Sequence, residues 1–264
     1  MVCAGCTVGE LDVVGKACPC PDGFSCDDDS QTCVEGNAGS GAAGSAYAAE
    51  ILADEPLAYY RLGESETPTA FDASGNERHA TYKVVKLSMP GAIAGDPDTA
   101  VRFDGDGVVE GGDWFGFEGA VAFSIEAWVL HECGEGVDTD CAFVGKVQYN
   151  PSESLYHGWF LYHHPMSTTF RRVLNTEAPL PSAGQFNHVV ATHDGVTSTV
   201  YLNGEEAISR SNEEPVVAHS FPFTIGRIDN WAPFVGVLDE VAVYGHHLSA
   251  ERVKAHHEVG RGAR

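Results

Sequence analysis

The chain has 264 residues, with 15 Lys and Arg against 38 Asp and Glu, for a net charge of −23 at pH 7. Such a surface repels phosphate backbones and anionic headgroups, which excludes nucleic acid as a partner. No apolar run reaches the roughly 18 residues that a membrane-spanning helix needs. With 43% hydrophobic residues the chain can still bury one large β domain or two ordinary ones.

The N-terminal 33 residues hold six of the eight cysteines: Cys3, Cys6, Cys18, Cys20, Cys26 and Cys33. A stretch as short as "CPCPDGFSCDDDSQTC" cannot bury enough apolar surface to fold alone. Two disulfides among Cys18, Cys20, Cys26 and Cys33 are the expected staple, with connectivity open. Zinc is the weaker reading, because the spacing lacks paired C-x2-C knuckles and no His lies nearby. Disulfides imply an oxidising, extracytoplasmic compartment. Cys3-Ala4-Gly5-Cys6 resembles the end of a bacterial lipoprotein signal, with Cys6 as the lipidated residue, although Cys3 stands where Leu is usual. On this expectation Met1 is an internal start, and the protein sits on the bacterial outer surface or in the periplasm, touching a membrane only through the lipid. Cys133 and Cys141 then bridge one loop; the alternative pairs Cys3 with Cys6.

Residues 1–6 are thus read as a signal remnant, 7–33 as a disulfide-stapled segment and 34–46, "VEGNAGSGAAGSA", as a flexible linker spanning roughly 20 Å. Residues 47–264 form the main domain. Short alternating segments dominate it, among them "LAYYRLGE", "HATYKV", "AVRFDG", "FSIEAWVL", "CAFVGKVQY", "WFLYHH", "FRRVLN", "NHVVATHDG", "STVYLNGEEAIS", "FTIGRI" and "VGVLDEVAVY". Asn203-Gly204 marks a type I′ hairpin. This pattern predicts an all-β, two-sheet antiparallel sandwich. The convincing helix is the last one, capped by Ser249 and begun with Glu251.

In "FVGVLDEVAVY" a period of two places Asp239 on the same face as Val237, Val241 and Val243. A carboxylate there must be paired, hydrogen-bonded or bound to a cation. Trp128 and Trp159 read as core residues, while Tyr149, Tyr162 and Trp231 are candidates to stack on a ligand. Trp231 follows Asp229-Asn230 in a loop, and these three make the first nominated ligand platform. The twelve histidines read as surface residues. No H-E-x-x-H or G-x-S-x-G motif occurs, and no catalytic triad is nominated.

Taken in order, "AYYRLGE", "DASGNERHATY", "AVRFDG", "FSIEAWV", "VGK", "FNHVVATHDG", "TVYLNGE", "TIGR" and "GVLDEVAVYGHHLSAERVKAHH" resemble the laminin G-like domains of the concanavalin A-like lectin and glucanase superfamily. The resemblance covers residues 47 to about 260 and implies a jelly roll. It implies binding of carbohydrate or of protein, with polysaccharide hydrolysis in some members. It also implies a structural calcium held by Asp239, with Asp104 as a weaker second ligand; a hydrogen-bonded Asp239 is the alternative. The related glucanases use Glu-x-Asp-x-x-Glu on one strand. Here only Glu10-Leu11-Asp12 matches in part, outside the sandwich and with Gly15 in the last place, and Glu126 stands alone on its strand. The expectation is a non-catalytic module for carbohydrate, with a structural or adhesive protein-binding domain as the alternative and a hydrolase behind both.

Overall fold

The computed structural model describes residues 24–27, 32–35, 45–132, 140–153, 155–164, 167–172, 175–179, 181–217, 219–228 and 232–262. The chain divides into two compact units, Met1–Ala43 and Gly44–Arg264. In the first, β1 (Phe24–Asp27) and β2 (Thr32–Glu35) form an antiparallel hairpin whose register sets Cys26 opposite Cys33. The expected roles of Cys3, Cys6, Cys18 and Cys20 fall outside the described residues.

The second unit is the expected sandwich of two antiparallel sheets. The first sheet runs in space as β13 (Asn175–Pro179), β12 (Ser167–Arg171), β11 (Leu155–His164), β10 (Cys141–Asn150), β17 (Thr224–Ile225), β8 (Val108–Glu110), β5 (Ala80–Lys83) and β4 (Thr69–Ala70). The second runs as β16 (Glu205–Ser211), β15 (Thr197–Leu202), β14 (Asn187–His193), β9 (Phe123–His131), β18 (Val235–Tyr244), β7 (Thr99–Asp104) and β6 (Lys86–Pro90), and β3 (Ala58–Tyr60) also pairs with β18. Asn203 and Gly204 have the positive φ that the β15–β16 turn requires, at 51° and 82°.

Alternation along each strand sends every second side chain inward. Phe103, Phe123, Ile125, Phe143, Trp159, Leu161 and Leu238 meet there in the main core. Trp128 and Trp159 are both fully buried, as read from their strands. "FRRVLN" is not one strand: β12 ends at Arg171 and β13 starts afresh at Asn175.

Two helices pack on the outer face of the second sheet. α2 (Ala250–Gly260) is capped by Ser249, whose Oγ accepts from the Arg252 amide. α1 (Ala46–Leu52) is a helix that strand periodicity did not suggest; Ser45 caps it, and it begins at the last residue assigned to the linker. Tyr47, Ala48 and Ile51 of α1 and Val253 of α2 cover Trp128, Val190, Tyr201, Ala242 and Tyr244 in a second apolar layer.

Strand β18 departs from simple alternation at one place. Glu240 has φ of 52°, and the β18–β9 register shifts between Asp239 and Ala242. This is a β-bulge, which adds one residue and flips the faces beyond it. Leu238, Val241 and Val243 therefore enter the main core, whereas Asp239 lies opposite Trp128 and faces outward. Asp239 is thus not on the valine face that a period of two assigns it.

Candidate functional site

Buried charge is concentrated around the two outward-facing acids of β18 and β9, and each group is closed within the fold. Asp239 Oδ2 accepts from the Ala92 amide at 2.7 Å. Glu240 accepts from the Tyr59 hydroxyl and from Arg61 Nε at 3.2 Å and Nη2 at 3.1 Å. Arg61 Nη2 also lies 2.8 Å from both Asp96 Oδ2 and Asp98 Oδ2. Burial pushes both β18 carboxyls up, Glu240 to about 8 and Asp239 with it, since one guanidinium cannot neutralise every acid around it.

The calcium expectation was tested on these residues. Asp239 Oδ1 is buried without a hydrogen-bond partner, the kind of vacancy a cation fills, whereas Asp98 Oδ2 has the Arg61 guanidinium at 2.8 Å. Arg61 already supplies the positive charge, however, and among the described residues no group of three or more His, Cys, Asp or Glu side chains is placed to hold a metal. Asp104 does not approach Asp239. It stands opposite Val235, paired with Lys86 at 2.6 Å and Arg102 at 2.7 Å. The residues present do not fit the expected calcium.

Glu126 is fully buried under the helices and hydrogen-bonded there. Its carboxylate meets His256 Nδ1 at 2.8 Å and the Tyr47 hydroxyl at 3.3 Å, and His256 Nε2 meets Asp54 at 2.8 Å. Burial alone would raise Glu126, but the His256 charge and hydrogen bond overcome it and hold the carboxyl well below its usual range. Burial likewise opposes charge on His256, yet Glu126 and Asp54 hold it raised. Being fully buried, Glu126 lines no open cleft. The surface reading of the histidines also fails: His131, His163, His188, His193 and His256 are all buried. His131 and His256 meet the Pro181 carbonyl and Glu126, distant in sequence, whereas His163 and His193 meet Thr168 and Ser198 five residues away.

Among the described residues no helix covers the first sheet, where register assembles a grid of side chains on one face, Phe160 and Tyr162 buried within it. Phe160, Arg171 and Asn175 form one row across β11, β12 and β13. Tyr162, Thr169 and Glu177 form the next, and His164 with Ser167 the third. Tyr149 and Tyr156 are paired nearer the β10–β11 turn. A cavity of about 350 Å³ opens here, lined by Tyr156, Phe160 and Tyr162 on one side and by Ser167, Arg171, Asn175 and Glu177 on the other, with Asp140 and His164 at its end.

The rings follow the strand as a contiguous strip, with centroids 5.0 Å apart for Tyr149–Tyr156, 5.8 Å for Tyr156–Phe160 and 5.0 Å for Phe160–Tyr162. Tyr149 is 40% exposed at the open end. Arg171 lies over the Tyr156 ring, 5.5 Å from its centroid, and donates to Asn175 Oδ1 at 2.9 Å; Asn175 Nδ2 donates to Glu177 at 3.2 Å. The polar row is therefore held in place before any ligand arrives. Asp140 is raised by its burial, with His164 3.8 Å away opposing that shift.

The nominated platform Asp229, Asn230 and Trp231 lies outside the described residues. Ile228 and Ala232, which bracket it, pack with Ala142, Phe160 and Tyr162 in a third apolar cluster on this same face. Tyr149 and Tyr162 were identified as stacking candidates, but Tyr156, Arg171, Asn175, Glu177, Asp140 and His164 were missed. Alternation along "LYHGWFLYHH" was the available signal for Tyr156; the β12 and β13 residues needed the cross-strand register. Cys141 is disulfide-bonded, and its expected partner Cys133 is outside the described residues.

Comparison with curated proteins gives no match. Domain 4 of AbnA, an extracellular GH43 arabinanase from Geobacillus stearothermophilus solved with arabinotriose, superposes with TM-score 0.56 at 20% identity, covering 76% of this chain and 98% of that one. The binding domain of Paraclostridial Mosquitocidal Protein 1 gives 0.56 at 16% identity, and that of botulinum neurotoxin serotype D gives 0.53 at 13%. They cover 78% and 81% of this chain, which in turn spans 52% of each. At these identities the likeness is one of fold. A family model described as the concanavalin A-like lectin/glucanases superfamily, of the laminin G type, matches residues 103–254, more than half of the sequence. The chain belongs to this laminin G-type family of the concanavalin A-like lectin/glucanases superfamily.

Proposed function

We propose that the sandwich is a non-catalytic binding module whose ligand is carbohydrate, seated in the cavity on the outer face of β10 to β13. The observation that carries this reading is the pairing of an aromatic strip with a pre-ordered Arg171–Asn175–Glu177 row. Ring faces pack against the C–H faces of sugars, while planar amide, guanidinium and carboxylate groups suit adjacent hydroxyls. The arabinotriose-bound arabinanase domain supports the ligand class. Asp229, Asn230 and Trp231 belong to the proposal as read from the sequence; their described neighbours in the chain, Ile228 and Ala232, pack with Phe160 and Tyr162.

The cysteine-rich first unit supports an extracytoplasmic placement, with Cys6 as a lipid anchor. No described helix is long and apolar enough to cross a membrane; the attachment proposed is through the lipid. The deciding experiment is a glycan array on the full chain, followed by calorimetry with Tyr156→Ala and Arg171→Ala. Each variant is expected to weaken the best glycan about tenfold or more, roughly the 1–3 kcal/mol of a good interface anchor, and the recovered glycan should be uncut. A silent array together with capture of a protein partner would replace this with the adhesive reading.

A further inference from the structure

We infer that the ligand of this cavity carries a positively charged amino group, so that the preferred carbohydrate is an amino sugar in its free-amine form. The inference rests on the carbohydrate reading and deepens it. Two carboxylates, Asp140 and Glu177, line the cavity against one guanidinium; burial first, and then the charges of both acids, push the Tyr162 hydroxyl up. Arg171 is engaged within the wall, over Tyr156 and on Asn175 Oδ1. Among the described residues His164, 3.8 Å from Asp140, is the titratable group paired with it, and it is the more exposed partner.

The whole chain, at −23, reinforces the same preference at long range. An anionic sugar meets the opposite field at every step, and a single uncompensated carboxylate at contact distance discriminates by about tenfold at low ionic strength.

The test compares three probes on the full chain at low salt: the β-1,4-linked glucosamine trimer, its N-acetylated counterpart, and polygalacturonate. The first two share a backbone and differ in the charged amine. The free-amine trimer is expected to bind about tenfold tighter than the N-acetyl trimer, with polygalacturonate weakest. That ratio should shrink in high salt, and it should shrink with Glu177→Gln and with Asp140→Asn. An N-acetyl trimer or polygalacturonate that binds as well as the free amine overturns the charge inference and leaves the carbohydrate reading standing. If none of the three probes binds while the array finds other glycans, the charge inference is equally overturned. Silence across every glycan removes both.

Discussion

The two outer faces of the sandwich use similar residues to opposite ends. On the second sheet, Trp128, Glu126 and His188 lie beneath α1 and α2, and His256 and Asp54 close over them. On the first sheet, Tyr156, Glu177, His164, Asp140 and Arg171 border an open cavity. Aromatic rings with acids and histidines are therefore no signature of a site by themselves. What separates the faces is cover: the helices exclude solvent from one, and there the charges become internal ties.

The difference is broken most severely at Glu126. Glu126→Ala leaves His256 with Asp54 as its remaining acid partner, and losing one partner of a buried ion pair costs about 3–5 kcal/mol. A fall in melting temperature of roughly 10 °C or more is expected; a shift as small as that of a surface variant would mean the network contributes little. On the open face, by contrast, the Tyr156→Ala variant should lose affinity while melting within about 3 °C of the parent.

Acidity sharpens the comparison with a middling effect. Glu240, raised to about 8, and His256, also raised, stabilise fully below their ordinary pKa and lose that contribution as pH rises through the folded values. Glu126, lowered, stabilises above the ordinary carboxylate range and loses that contribution on acidification. Both trends place greatest stability near the ordinary carboxylate range, about pH 4 to 5, with a decline through pH 8. Urea titrations from pH 4 to 9 read this directly, and greater stability at pH 9 than at 5.5 would contradict the buried-charge assignment.

The smallest expected effect is that of a chelator. With Arg61 as the cation beside Glu240 and Asp98, excess EGTA should move the melting temperature by less than about 1 °C, whereas stripping a bound stabilising ion lowers it measurably. A drop of several degrees would restore the metal at Asp239.

Much of the sandwich was readable in the chain itself. Alternation in segments such as "FSIEAWVL" and "NHVVATHDG", and the Asn203-Gly204 turn, are local properties, because strand pleat and positive φ depend only on neighbouring residues. The order of those segments likewise carried the family. Tyr149 and Tyr162 were visible as stacking candidates for the same reason.

The fate of Asp239 was not local. A single residue added at Glu240 reverses the faces beyond it, and this bulge depends on Arg61 and Tyr59 being close by in the fold though far away in sequence. The cavity is equally a product of register, which sets Phe160 beside Arg171 and Tyr162 in line with Glu177. Helix cover, meanwhile, turned Glu126 into an internal tie. Sequence determined which residues could alternate; tertiary contact decided which alternating face stayed open, because burial is fixed by what arrives from elsewhere in the chain.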